Sequence, residues 1–262
     1  MKILVTNDDG IRAPGIIALH KALEGLGELV VFAPETVQSA TSHGITYTKP
    51  LMTQQIDVTD SMSGTAVDGR PADCVKLAME ALWEERFGEG TKPDLTISGM
   101  NSGSNVGINI IYSGTVGAAI ESAFLGVPSI AVSLHLKNRE ATCYDRAAEI
   151  ARGVIDKVLE NDLVPHEVIN INVPACESPD MPMPEIKVVD MNASSVLGHY
   201  DKRVAPDGRT YYWAAGNGMA FAHTAEGSDV EALKQGYATV TPLDYVLTHD
   251  ERMDKWRERV QS

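Results

Sequence analysis

Met1-Lys2-Ile3-Leu4-Val5-Thr6-Asn7-Asp8-Asp9-Gly10 runs an apolar strand straight into two adjacent carboxylates and a glycine. Strand residues alternate faces, so Asp8 and Asp9 can serve one ion only if the strand has ended before them and the backbone turns at Gly10. An Asp-Asp-Gly run suits a solvated turn equally well, since both residue types favour turns. Position speaks for a site: ligands of open parallel sheets bind at the carboxyl ends of the strands.

Outward from this strand, the chain alternates. Ile16, Leu19, Leu23 and Leu26 keep helical spacing behind Pro14, and Glu28 to Ala33 is strand-like again, which makes a βαβ unit. A polar stretch from Pro34 to Gly69 holds a β-like Gly44 to Thr53. Pro71 then opens a helix carrying Val75, Leu77, Ala78, Leu82 and Trp83. Strands are expected at Asp94 to Ser98, Pro128 to Leu134 and Val168 to Val173, and helices at Ser113 to Leu125 and Tyr144 to Leu159. Apolar strands separated by helices imply a mostly parallel sheet covered on both faces, a three-layer α/β/α fold. The character changes after Pro174. A proline-rich Pro179 to Pro184 precedes strand-like Glu185 to Val189 and Arg209 to Ala214, joined by a polar link with the turn signal Asp207-Gly208. This is expected to be a β-rich arm lying on a second subunit or on the core, since isolated ribbons are marginal. The charged segment Asp250 to Val260 reads as a solvated or subunit-bridging helix. The expectation is a single domain over 1–262, with a core at about 1–175 and an arm and helical tail at about 176–262.

Composition excludes several classes. With 44% hydrophobic and 22% charged residues among 262, the chain is ordinary for a globular enzyme. A net charge of −14 disfavours nucleic acids and anionic membranes as partners. An anionic substrate then needs local help from a cation, a helix N-terminus or backbone N–H groups. Cys74, Cys143 and Cys176 lie far apart and form no CxxC, so they read as buried free thiols in a reducing compartment. The start lacks a signal peptide, and no stretch of about 18 apolar residues occurs. A cytoplasmic location is expected.

Two further segments carry chemistry. Ser98-Gly99-Met100-Asn101-Ser102-Gly103-Ser104-Asn105-Val106-Gly107 follows a strand, and its glycines and asparagines let the backbone approach a ligand and present N–H groups and amide oxygens. Its GxxxGxxxG spacing is neither a dinucleotide fingerprint nor a Walker loop. Tyr112-Ser113-Gly114-Thr115-Val116-Gly117 leads into a helix, where the hydroxyls suit capping and, with the N–H groups, also suit phosphate. A third segment, Gln38-Ser39-Ala40-Thr41-Ser42-His43-Gly44, can bring a hydroxyl to the same sheet edge.

Together, NDDG at 7–10, Ser39 to Thr46, PADCV at 71–75, the Ser98 to Gly107 loop, YSGTVGAA at 112–119, Gly227-Ser228-Asp229 and GYATVTPL at 236–243 resemble the SurE family of survival proteins. The resemblance implies a Rossmann-like core, a dimer or tetramer built with an extended C-terminal arm, and metal-dependent hydrolysis of nucleoside 5′- or 3′-monophosphates, in some members also of short polyphosphate. It implies metal ligands at Asp8, Asp9, Ser39 and Asn101. Two positions depart from it: Arg70 stands where Thr is common, removing a helix cap and adding a cation at the rim, and Asn109 stands where Asp is frequent.

The residues agree with this chemistry. Two carboxylates, a hydroxyl and an amide oxygen are hard donors suited to one Mg²⁺, Mn²⁺ or Ca²⁺ ion. The expected mechanism is attack by a metal-bound water, with the ion polarising the phosphoryl group. Asp8 is the candidate base, while Asn105, Ser113, Gly114 and Thr115 are expected to hold the phosphate oxygens. His43, near Ser39, is a weaker candidate for the general acid than for a structural hydrogen-bonder. Two rivals are a non-catalytic nucleotide- or flavin-binding module and an oligomeric scaffold. Against the first, paired carboxylates repel phosphate without a cation.

Overall fold

The computed structural model describes residues 1–216 and 218–261. In chain order its elements are β1 Lys2–Thr6, α1 Pro14–Ala22, β2 Glu28–Pro34, β3 Thr53–Thr59, β4 Met62–Val67 and α2 Pro71–Leu77, then α3 Trp83–Phe87, β5 Leu95–Ser102 and α4 Gly114–Phe124. There follow β6 Ser129–Leu134, α5 Tyr144–Val158, β7 Val168–Val173, β8 Ile186–Val188, β9 His199–Val204, β10 Thr210–Ala215, α6 Asp229–Lys234, β11 Ala238–Leu243 and α7 Asp250–Gln261. A nine-stranded sheet has the order β3-β4-β2-β1-β5-β6-β7-β11-β8. Its centre, from β4 to β7, is parallel, while β3 and β11 run antiparallel to β4 and β7.

Alternation along β1 builds the three layers. Ile3 and Val5 pack with Ile16, Leu19, Ile150 and Val154 of α1 and α5, whereas Leu4 faces Val75, Ala78 and Trp83 on the opposite side. Helices α1 and α5 pack together on one face, α2 and α4 on the other. Strand β2 lies on one side of β1 and β5 on the other, so the direction of winding reverses between β1 and β5. That reversal opens a crevice above their carboxyl ends. Asp8, Asp9 and Asn101 all lie there.

Several local expectations shift, each for a physical reason. Helix α1 ends at Ala22 rather than Leu26, and Gly25 follows at φ +81°, a left-handed turn that glycine permits. Gly44 to Thr53 forms no ladder up to Thr53, because Asp73 takes its polar groups: Thr46 donates its N–H and hydroxyl to the Asp73 carboxylate at 2.8 and 2.7 Å. The hairpin of β3 and β4 follows instead. The arm's ribbon is β9 with β10, turning through Asp207-Gly208, while the expected partner strand at Glu185 to Val189 becomes β8 and pairs with β11 at the sheet edge. The chain beyond residue 176 therefore returns two strands and α6 to the core. Cys74 and Cys176 are buried and Cys143 is half-buried; they are free thiols, although the Cys143 N–H reaches the Cys176 carbonyl at 2.9 Å. Among the described residues no helix is long and apolar enough to cross a membrane.

Candidate active site

The strand β1 has ended at Thr6 when the two carboxylates arrive. Asn7 is fully buried and donates its amide to the Gly10 carbonyl at 2.8 Å, and Gly10 sits at φ +96°, so the turn is pinned from both ends. The carboxylates diverge from it. Asp8 Oδ1 accepts the Thr115 hydroxyl at 2.5 Å, which aims it at the N-terminus of α4. Asp9 Oδ2 accepts the Ser102 N–H at 2.8 Å, which ties it to the end of β5. Burial pushes the Asp8 carboxyl up to about 6; the Thr115 hydroxyl bond opposes this and the neighbouring Asp9 charge adds to it.

Close approach explains the small residues of α4. A Cβ on Gly114 would stand 3.0 Å from the Asp8 Cβ, and one on Gly117 would stand 2.7 Å from the Ser42 carbonyl oxygen. Ser113 caps the helix, its hydroxyl oxygen accepting the Val116 N–H at 3.1 Å, and the hydroxyl proton is not used by that bond. Thr115 differs. It is fully buried, and its single hydroxyl proton is committed to Asp8, so a phosphate oxygen cannot also receive it. The partial positive charge of the helix N-terminus is delivered to the same carboxylate.

On the other side of the crevice, Asn101 lies within β5, just beyond a register shift between Ser98 and Asn101. Its amide nitrogen donates to the Gly103 carbonyl at 2.7 Å, which leaves the amide oxygen as the atom for a ligand. Asn105 is buried, and its surroundings hold the loop. Its N–H donates to Asn172 Oδ1 and its amide to Ser133 Oγ, both at 2.8 Å, and its carbonyl accepts from the amides of Asn170 and Asn172. One of its two amide protons is thus taken by Ser133.

The third segment approaches through Gln38, whose N–H donates to the Asp8 carbonyl at 2.8 Å. Ser39 follows on an exposed loop whose curvature needs positive φ at Ala40 and Ser42, +57° and +56°. Ser42 fastens this loop to the carbonyls of Ile111 and Tyr112. His43 does not face the carboxylates: its Nε2 lies 2.6 Å from Glu121, almost two turns into α4. The Arg70 guanidinium packs over Gly44, and Asp73 accepts the Arg70 N–H at 2.9 Å, supplying from within the helix a cap that arginine cannot provide. Asn109 donates to the Gly218 carbonyl at 2.6 Å. Neither departure from the expected pattern touches the two aspartates.

Sequence reasoning missed two supports. The Ser102 N–H on Asp9 is a backbone contact that no motif encodes. The buried Asp229, noted only within a Gly-Ser-Asp match, accepts the N–H groups of Gly107, Asn192 and Val230 at 2.7, 2.9 and 2.8 Å.

Chemically, the crevice holds two carboxylates, each with one oxygen outside these bonds, and the Asn101 amide oxygen, while Ser39 is the residue after the Gln38 that bonds the Asp8 carbonyl. A buried carboxylate raised toward neutrality beside a second one is an environment that a cation relieves. Among the described residues no three His, Cys, Asp or Glu side chains converge, so a cation here would depend on neutral oxygens beside the carboxylate pair. That donor set fits a hard divalent ion.

The family model described as "Survival protein SurE" matches residues 3–196. A protein of Rhodopirellula baltica named "5′-nucleotidase SurE" is 42% identical, covering 98% of both chains, and a relative of the same name from Heliobacterium modesticaldum is 42% identical over 95% of this chain and 88% of its own. Among solved structures, the SurE protein of Aquifex aeolicus superposes with a TM-score of 0.81 at 36% identity, covering 99% of each chain.

Proposed function

The chain belongs to the SurE family, and on that footing we propose that it is a 5′-nucleotidase: a phosphomonoesterase dependent on one divalent cation, Mg²⁺ or Mn²⁺, that releases phosphate from nucleoside 5′-monophosphates. The observation that carries the reading is the Asp8–Asp9 pair at the winding reversal, with the N-terminus of α4 bonded to Asp8. A plain nucleotide-binding module has no use for two carboxylates beside a phosphate. Nucleoside 3′-monophosphates and short polyphosphates are the next substrates to screen.

In this proposal Asp8, Asp9, Ser39 and Asn101 hold the cation, which when bound polarises the phosphoryl group and offsets its charge. The Ser113 hydroxyl proton, the N–H groups of the α4 first turn opened by Gly114, and the remaining Asn105 amide proton hold phosphate oxygens as charge shifts onto them. Thr115 acts one step back, fixing Asp8. Asp8 takes the proton of the attacking water, and solvent protonates the departing 5′-oxygen, since the His43 ring is turned to Glu121. The exposed β9–β10 ribbon, with Tyr200, Tyr212 and Trp213 on its surface, supports a homodimer or homotetramer in which the arm lies on another copy. Free thiols accord with a cytoplasmic enzyme.

Phosphate release from a nucleotide panel should vanish in excess chelator and return with Mg²⁺ or Mn²⁺. Full activity in protein confirmed metal-free would sink the site assignment. Attack should also be direct. Asp8 and Asp9 each have one oxygen bonded to a donor, which blunts a carboxylate as nucleophile. Single-turnover hydrolysis in ¹⁸O-water should place the label in phosphate, with inversion at a chiral thiophosphate. Label in either aspartate, or retention, would show a covalent phosphoenzyme.

A further inference from the structure

A pocket of about 780 Å³ opens beside the crevice, and its near edge is Ser102 and Gly103. These are the residues whose backbone meets Asp9 and Asn101: the Ser102 N–H bonds Asp9 and the Gly103 carbonyl accepts the Asn101 amide. A phosphate held at Asp8 and Asp9 therefore has this pocket as its neighbour, and the volume suits a nucleoside. The lining also includes His135, Lys137 and Lys234, with no carboxylate in the wall. Neither lysine side chain forms an ion pair or hydrogen bond among the described residues. On a chain of net charge −14, two unpaired cations facing one carboxylate-free pocket are a local reversal of sign.

We propose that this pocket is a second anion subsite, in which Lys137 and Lys234 grip a phosphate carried on the sugar of the nucleotide whose 5′-phosphate sits at Asp8 and Asp9. The substrate class it selects is the nucleoside 3′,5′-bisphosphate, cleaved at the 5′ position. The proposal rests on the phosphatase reading for which end is cleaved, and on the pocket alone for the second anion. His135 supports the assignment. Burial first, and then the charges of Lys137 and Lys234, hold its pKa below the usual range, so at neutral pH the ring is a neutral hydrogen-bonding group, and the charge for an anion comes from the lysines. Its Nδ1 lies 3.4 Å from the Ser104 hydroxyl, which links it to the Asn101 loop.

The test compares the full-length protein with the K137Q/K234Q variant, both exposed positions that leave the core untouched. Titration calorimetry with adenosine 3′,5′-bisphosphate and adenosine 5′-monophosphate is run with Mn²⁺ on both proteins carrying Asp8→Asn in addition, where turnover is stopped and one of the two repelling charges is gone, and kcat/KM for release of the 5′-phosphate is measured with Mn²⁺ on the proteins that keep Asp8. The variant should bind the bisphosphate about tenfold more weakly, as two lysine–phosphate contacts at an exposed site allow, while the monophosphate changes less than about twofold. The kcat/KM values should follow the same split. Equal losses for both ligands, or none for either, would overturn the subsite. A selective loss of bisphosphate binding without hydrolysis of either nucleotide would keep the subsite and defeat the phosphatase reading instead.

Discussion

Asp8→Asn should abolish phosphate release, lowering kcat/KM by about a thousandfold or more, and at the same time make the metal-free protein more stable at neutral pH. The activity loss follows because the amide removes a charged ligand for the cation and the acceptor for the water's proton. The gain in stability follows from burial. The wild-type carboxyl is raised from 3.8 to about 6, so the folded state holds a proton more tightly than the unfolded chain does. Stability from such a group is complete below the unfolded pKa and is lost as pH rises through the folded one. In excess chelator the wild type should therefore lose up to about 3 kcal/mol relative to Asp8→Asn between pH 4 and pH 7, since each pH unit separating the folded and unfolded pKa values contributes roughly 1.4 kcal/mol. Asparagine keeps an oxygen for the Thr115 hydroxyl, so the comparison isolates the charge. Denaturant unfolding of both proteins across that range checks it, and a difference that does not change with pH would show that burial does not penalise the Asp8 charge.

This trade between stability and activity was half legible in the sequence. The β1 strand, its Asp-Asp-Gly exit and the alternation of elements are local signals, each carried by residues within one turn or strand of one another, and they put the two carboxylates past the carboxyl end of β1, where the structure has them. Thr115 was visible as a hydroxyl at a helix start, but its partner lies more than a hundred positions away, and nothing in a helix-capping pattern says which of two acceptors a buried hydroxyl will choose. The same limit hid the role of Asn105, whose partners on β6 and β7 come from the strand register rather than from any motif. The β3 strand escaped for another reason. Thr53–Thr59 is an edge strand exposed at most positions, so it lacks the apolar run that marks the central strands. The β9 strand is exposed throughout and equally faint.

The largest effect on folding should come from Asp229→Ala. Asp229 is fully buried, yet it touches no substrate-facing side chain; its two oxygens accept three backbone N–H groups, from Gly107, Asn192 and Val230. Burial raises its pKa, so the ionised form carries a cost, and the three N–H bonds oppose that cost. Truncation leaves three donors buried without partners, each worth about 1–3 kcal/mol, so a loss of about 3–5 kcal/mol and a fall in Tm of roughly 10 °C are expected. Asp229→Asn should recover only part of it, because an amide offers one acceptor oxygen and turns a second set of protons toward N–H groups. Gly107 closes the loop that carries Asn101 and Asn105, and Phe221 and the Asn192 carbonyl leave no room for it to drift toward them. Released from Asp229, the loop should shift away from the carboxylates, and kcat/KM of the protein that remains folded should fall by roughly a hundredfold, as a displacement of about 1 Å does in a positioned site. Thermal melts and kinetics on the same preparation separate the two effects. A variant that melts with the wild type would show that water satisfies the three donors and that the loop is held by the asparagine network alone.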